Sequence, residues 1–177
     1  PREEQIERAV GRKQMSIGMP HDYRDGEKRI ALTPEAVKIL TDAGHEVFLE
    51  RGAGTEAGFA DVDYSNNGAV VSDIPETVFG CDVVIKIAPV TQQEAARLRG
   101  GQTVISFMNA PTLSEDTLSV MMRKRVTALA SEIIKDSDGM LPVMESMSEI
   151  SGITSVLLAS EYLSTTSGGK GVMLGGV

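Results

Sequence analysis

The residues of this chain best suited to chemistry lie where its predicted strands end. Arg29 follows a polar loop over residues 21–28 and precedes a helix. A guanidinium there can grip a carboxylate through two parallel hydrogen bonds, or it can close a surface ion pair with Glu27 or Asp25. Lys86 ends an apolar run, where an ammonium can meet a ligand or simply snorkel to the rim. Met147 and Ser148 are placed at the start of a long helix, where N–H groups and a hydroxyl can face an anion. The plain alternative for that pair is a helix cap and a core methionine. His21 and His45 are the only histidines; His45 reads as a helix-to-strand turn, and His21 lies on a strand-end loop. Gly52-Ala53-Gly54-Thr55-Glu56-Ala57 imitates the dinucleotide fingerprint G-x-G-x-x-A directly after a strand. No amphipathic helix follows it, so a structural turn is the expectation. No Cys/His/carboxylate spacing suggests a metal, and no G-x-S-x-G or Cys–His arrangement suggests a nucleophile.

The elements that must position these residues alternate in type. Strands are predicted over 15–19, 47–49, 70–71 (an edge strand), 83–87, 103–107 and 127–130. Thr33-Pro34 supplies an N-cap and a proline at the first helical position, with Gly44 closing that helix. Short helices open at Asp61 and, capped by Asp73, run to Phe79. Thr91-Gln92-Gln93-Glu94 is a capping box for a helix to about residue 99. Ser114 caps another helix to about 125, and 146–163 reads as one long, mostly apolar helix ended by Gly168-Gly169. A polar helical lead-in is predicted over 2–11. Strand–helix alternation of this kind specifies an α/β fold, a doubly wound, mostly parallel sheet with helices on both faces. Ligands of such sheets bind at the carboxyl ends of the strands, which points to the loops after Met19, Ile87 and Phe107.

Composition narrows the function classes. The chain has 177 residues, 41% apolar and 24% charged, enough for a real core. A net charge of −8, with no basic patch, argues against nucleic-acid binding. The lone Cys81 excludes an intrachain disulfide and fits a reducing, cytoplasmic setting. No apolar run approaches the roughly 18 residues needed to span a bilayer. The chain opens on Pro1 and stops at Val177 inside a fresh element, so a piece of a longer protein is expected. In that reading residues 1–14 are an extension, 15–140 a substrate-side α/β domain, and 141–177 a connecting helix and the start of a next domain.

The run SIGMPHDYRDGEKRIALTPEAVKILTDAGHEVFLERGAGTEAGF over residues 16–59 resembles the N-terminal domain of the alanine dehydrogenase and pyridine-nucleotide transhydrogenase family. The shared pattern is a strand ending in G-x-P, then N/E-x-R-V/I-A, T-P, G-H-E-V and G-A-G. The resemblance implies a Rossmann-like or flavodoxin-like substrate domain serving hydride transfer to or from a nicotinamide. NAD or NADP would be held mainly by a domain missing from this chain. Arg29 takes the family's position for a substrate carboxylate, Met147 one that packs on the substrate, and Ser148 one that contacts the dinucleotide. A small carboxylate substrate and a homo-oligomer are implied as well.

Two positions depart from the alanine branch of that family. Its strand end reads K-V-K-E-P; Lys86 matches the first lysine, and Ala88 stands where the second belongs. Its L-H-L-A histidine aligns with Asn109, which cannot titrate. Losing a proton donor of this kind costs about a hundred- to ten-thousand-fold in rate, so catalytic residues stay unassigned while Asn109 and Met147 shape the pocket. The same departures resemble the transhydrogenase branch, with K-V-N-A-P and S-F-I-W-P-A. The C-terminal third, with Met147-Ser148-Glu149 and Gly169-Lys170-Gly171-Val172, resembles alanine dehydrogenases again. Three readings follow: an alanine-dehydrogenase-like oxidoreductase with weak or altered substrate turnover, a transhydrogenase-like nucleotide domain, and a non-catalytic regulatory module.

Overall fold

The computed structural model describes residues 14–23 and 26–175. The predicted lead-in helix over 2–11 lies outside the described residues, as does Asp25. Two compact units divide between Ala130 and Ser131.

Among the described residues, the first unit holds six strands and five α-helices in alternation. In chain order these are β1 (Ser16–Met19), α1 (Pro34–Asp42), β2 (Glu46–Glu50), α2 (Asp61–Asn66), β3 (Val70–Ser72), α3 (Pro75–Phe79), β4 (Val83–Ile85), α4 (Gln92–Arg97), β5 (Thr103–Ser106), α5 (Glu115–Arg123) and β6 (Thr127–Ala130). All strand pairs are parallel, in the order β3-β2-β1-β4-β5-β6. This is the doubly wound α/β sheet that the alternation predicts. Local chemistry starts the helices where expected: Thr33 Oγ1 accepts from Ala36 N–H, and Ser114 Oγ accepts from Thr117 N–H. Thr91 and Glu94 close their capping box in both directions.

Each face of the sheet buries one apolar cluster. Phe79, Val84, Ala95, Val104 and Met121 bring α3, α4 and α5 onto β4 and β5. Val37, Val47, Leu49 and Tyr64 bring α1 and α2 onto β1 and β2. Alternation along β4 feeds both, because Val83 and Ile85 pack on the second cluster while Val84 packs in the first. Gly18 in β1 lets α3 approach closely, since a Cβ there would stand 2.0 Å from the Val78 carbonyl oxygen.

Several predicted boundaries move. Strand β4 ends at Ile85 rather than 87. Helix α3 is preceded by Ile74 with Pro75 in its first turn, so Asp73 does not cap it and instead pairs with Arg51. In the second unit, α6 spans Pro142–Leu163, beginning four residues before the predicted start because Pro142 suits a first helical turn. No residue of α6 is buried within this chain, and Ile150, Ile153, Val156, Leu157 and Tyr162 are exposed along it. No helix among the described residues is long and apolar enough to cross a membrane.

Candidate functional site

Strands β1 and β4 are neighbours, yet the chain leaves them toward opposite edges of the sheet. Such a switch in strand order opens a crevice at the carboxyl ends. The loop after β1 is pinned across it by buried carboxylates. Glu50, at the end of β2, accepts from His21 N–H at 2.9 Å and from the Tyr23 hydroxyl. Burial first, then the Glu50 carboxylate, push the Tyr23 hydroxyl up to about 12. Asp22 reaches the other way, its Oδ2 accepting from Ala88 N–H at 2.8 Å.

Lys86 sits between Asp22 and Glu94. Its side chain is sealed from solvent, with Nζ 2.7 Å from Glu94 Oε1 and 3.6 Å from Asp22 Oδ1. The ammonium therefore does not snorkel to the rim; it turns inward to two carboxylates. Glu94 is held in turn through Oε2, which accepts from the Thr91 N–H at 2.8 Å and from its hydroxyl at 3.0 Å. Asp22 Oδ1 and His21 Nδ1 are buried without a hydrogen-bond partner.

Arg29 pairs with Glu27, as one of the two sequence readings has it. Nε donates to Oε1 and Nη2 to Oε2, both at 2.7 Å. The Arg29 fork holds the Glu27 carboxyl below its ordinary range, and Glu27 raises the guanidinium. Arg29 nonetheless lines a cavity of about 10 Å³ together with Asp22 and Lys86, room for a single water-sized group. Asp22 also borders an open cleft of about 940 Å³, with Tyr23, Glu94, Arg97, Ser114 and Thr117 on its walls.

Ala88 and Asn109 line neither cavity. Ala88 is buried beside Asp22, so its methyl adds packing and no charge. Asn109 is exposed and left-handed, φ 39°, with its carbonyl accepting from Thr112 N–H at 2.8 Å. It borders neither cavity. In the second unit, half-buried Met147 and exposed Ser148 lie in the second turn of α6. Their N–H groups belong to the helical ladder, so neither residue stands at the helix start where the sequence reading puts it. Sequence reasoning missed Asp22 and Glu50, whose partners are distant in the chain. Glu94 was visible only as a cap.

The Gly52–Gly54 loop does not fit a dinucleotide. Gly52 N–H donates to Asp61 Oδ1 at 2.9 Å and Ala53 N–H to the Glu50 carbonyl at 3.1 Å, so a carboxylate already sits where phosphates would approach. A Cβ on Gly54 would lie 2.6 Å from the Tyr64 ring, a packing reason for that glycine. Among the described residues, no cluster of His, Cys, Asp or Glu could hold a metal ion.

The comparisons agree with this fold. Residues 18–151 match the family model "Alanine dehydrogenase/PNT, N-terminal domain". An alanine dehydrogenase of Methanococcus maripaludis is 34% identical over 164 residues, 92% of this chain and 44% of the relative. One of Mycobacterium tuberculosis is 32% identical over the same shares. Among solved structures, an L-alanine dehydrogenase superposes with a TM-score of 0.85 at 34% identity, covering 92% of this chain and 45% of that one. A transhydrogenase from Sinorhizobium meliloti gives 0.62 at 29%, covering 67% and 35%. The chain spans less than half the length of the curated relatives it matches. The match covers the sheet, the switch-point loops and the start of the long helix, and by it the chain belongs to the alanine dehydrogenase/PNT family, whose N-terminal domain it carries.

Proposed function

We propose that this domain is the substrate side of an alanine-dehydrogenase-like, NAD(P)-dependent oxidoreductase acting on a small amino or keto acid. The observation that carries the reading is that Arg29, with half of its side chain exposed, stands beside Asp22 and Lys86 at the β1–β4 switch point. Arg29 binds the substrate carboxylate. Lys86, fixed by Glu94 and Asp22, sets the potential of the cavity wall. Asn109 and Met147, neither of which lines that cavity, are assigned to the substrate by family resemblance alone, and Ser148 to the cofactor. A nicotinamide, bound mainly by a further domain, supplies the hydride chemistry. The whole protein works in the cytoplasm as a homo-oligomer.

Neither Ala88 nor Asn109 can move a proton. The reading therefore includes weak alanine turnover, or a different small substrate. Its test is reductive amination by the full-length protein, followed as NADH loss with pyruvate and ammonium. Turnover at ordinary enzyme rates would mean that other groups supply the proton. No turnover, with NADH binding intact, would favour a transhydrogenase-like domain. That second reading is supported by the same two positions and by the likeness to the transhydrogenase structure.

A further inference from the structure

The proton that Ala88 and Asn109 cannot move needs another carrier. Among the described residues, Asp22 alone lines both the cavity of about 10 Å³ beside Arg29 and the open cleft of about 940 Å³. Its side chain is 8% exposed, and Oδ2 is committed to the Ala88 N–H at 2.8 Å. Oδ1 is buried without a hydrogen bond, because Lys86 Nζ at 3.6 Å pairs with it in charge but stands beyond hydrogen-bond reach. The neighbouring groups are engaged or misplaced. Glu94 gives Oε1 to Lys86 and Oε2 to Thr91. The Tyr23 hydroxyl, pushed up to about 12, keeps its proton and donates to Glu50. His21 lines neither cavity, and Lys86 and Arg29 carry donors with no acceptor atom.

We infer that Asp22 Oδ1 is the general base and acid of this site, acting on a single water held in the cavity between Asp22 and Lys86. This rests on the small amino- or keto-acid reading given above. A cavity of that size admits one water, which there meets a carboxylate oxygen and an ammonium N–H, the polar partners it needs. As the water oxygen bonds to the keto carbon of pyruvate, its proton passes to Oδ1 and the C=O π pair moves to the carbonyl oxygen. Oδ1 then returns the proton to that oxygen, leaving a diol and an ionised Asp22. An iminium carbon is hydrated in the same way, with the returned proton going to nitrogen. The C–N bond then breaks with its pair on nitrogen, and the hydroxyl proton leaves with ammonia as ammonium. A purely structural Asp22, tying the loop after β1 to Ala88, uses Oδ2 alone, and Lys86 already has Glu94 at 2.7 Å.

The test follows the loss of a heavy-oxygen label from the keto group of pyruvate, by mass spectrometry, in the full-length protein with no nucleotide added. Pyruvate binding is read separately by saturation-transfer NMR. Wild type should exchange the label faster than buffer does. Asp22→Asn, which keeps an oxygen for the Ala88 N–H, should lower the protein-dependent rate at least about a hundredfold with pyruvate binding unchanged. Exchange by Asp22→Asn at the wild-type rate, or no exchange by a wild type that binds pyruvate, overturns this inference alone. Loss of pyruvate binding together with exchange in Asp22→Asn makes Asp22 a positioning residue, which overturns it too. If wild type does not bind pyruvate, the substrate-side reading falls and takes this inference with it. Should Asp22→Asn fail to fold, wild type decides the matter. Its exchange should slow in heavy water, because the water proton is in transfer in the transition state, and an unchanged rate overturns the inference.

Discussion

The Lys86 ammonium and the Glu94 carboxylate meet at 2.7 Å in the interior of the domain. One glutamate thereby serves two structures. Its Oε2 caps α4 through Thr91, and its Oε1 neutralises the lysine that leaves the end of β4. The start of a helix is locked to the end of a central strand beside the candidate site. Asp22, 3.6 Å from the same ammonium, ties in the loop after β1.

Removing one member of a buried pair leaves the other charge uncompensated, at a cost of about 3–5 kcal/mol. Lys86→Met should therefore lower the stability of the domain by that amount in urea denaturation. Lys86→Met combined with Glu94→Gln should recover part of the loss, because one stranded carboxylate goes while Asp22 keeps its own. A neutral single variant would show that water reaches the pair.

Gly18 gives a second, purely steric prediction. A methyl at this position would stand 2.0 Å from the Val78 carbonyl oxygen and 2.9 Å from its carbon. Backbone has to move, and overpacking of that kind costs about 3 kcal/mol. Gly18→Ala should shift the denaturation midpoint accordingly. No shift would mean that α3 slides freely on β1.

These two sites also mark how far the sequence could be read. Thr33-Pro34, the Thr91–Glu94 box and the strand at Thr127–Ala130 were legible because each is a local signal completed within a few residues. The start of α6 was misplaced at 146 because apolar periodicity outweighed the Pro142 signal beside it. The inward turn of Lys86 was not legible, since only the fold brings Asp22 and Glu94 to it. Arg29 shows the middle case. Its pairing with Glu27 was one of two readings the sequence left open, and the geometry shows that pairing and cavity lining coexist.

Tyr64 predicts a pH effect. It is fully buried, and its hydroxyl donates to the Leu32 carbonyl at 2.9 Å. Burial first, then Glu35 and Asp63, raise its pKa from 10.0 to about 12. A raised folded-state pKa means stability fully present below pH 10 and lost as pH climbs through about 12. A rise of this size is worth about 2–3 kcal/mol. The stability difference between wild type and Tyr64→Phe should be flat up to pH 10 and then shrink by that amount. Cys81, its thiol pushed up to about 11 by burial, loses stability from lower pH in both proteins and cancels in the difference. A difference that stays flat through pH 12 would mean that the phenol ionises without unfolding cost.

Rebuilding the missing pair tests the account of the pocket most directly. A lysine introduced by Ala88→Lys would begin in a buried position whose backbone N–H is already 2.8 Å from Asp22 Oδ2, so a carboxylate is at hand to offset its burial. The Asn109→His change falls on an exposed residue with φ 39°, a left-handed conformation in which histidine, like asparagine, is enriched. Backbone geometry therefore opposes neither substitution. The doubly substituted full-length protein should oxidise L-alanine with NAD at least about a hundredfold faster than wild type, the scale of one general acid–base group. Its rate should also acquire the pH dependence of an imidazole, which Asn109 cannot provide. Each single change should gain less, because carbonyl polarisation and proton transfer act on the same transition state. An unchanged rate with NADH binding intact would show that proton supply is not what limits this pocket, and hydride exchange between two nucleotides would then be the better account of the same residues.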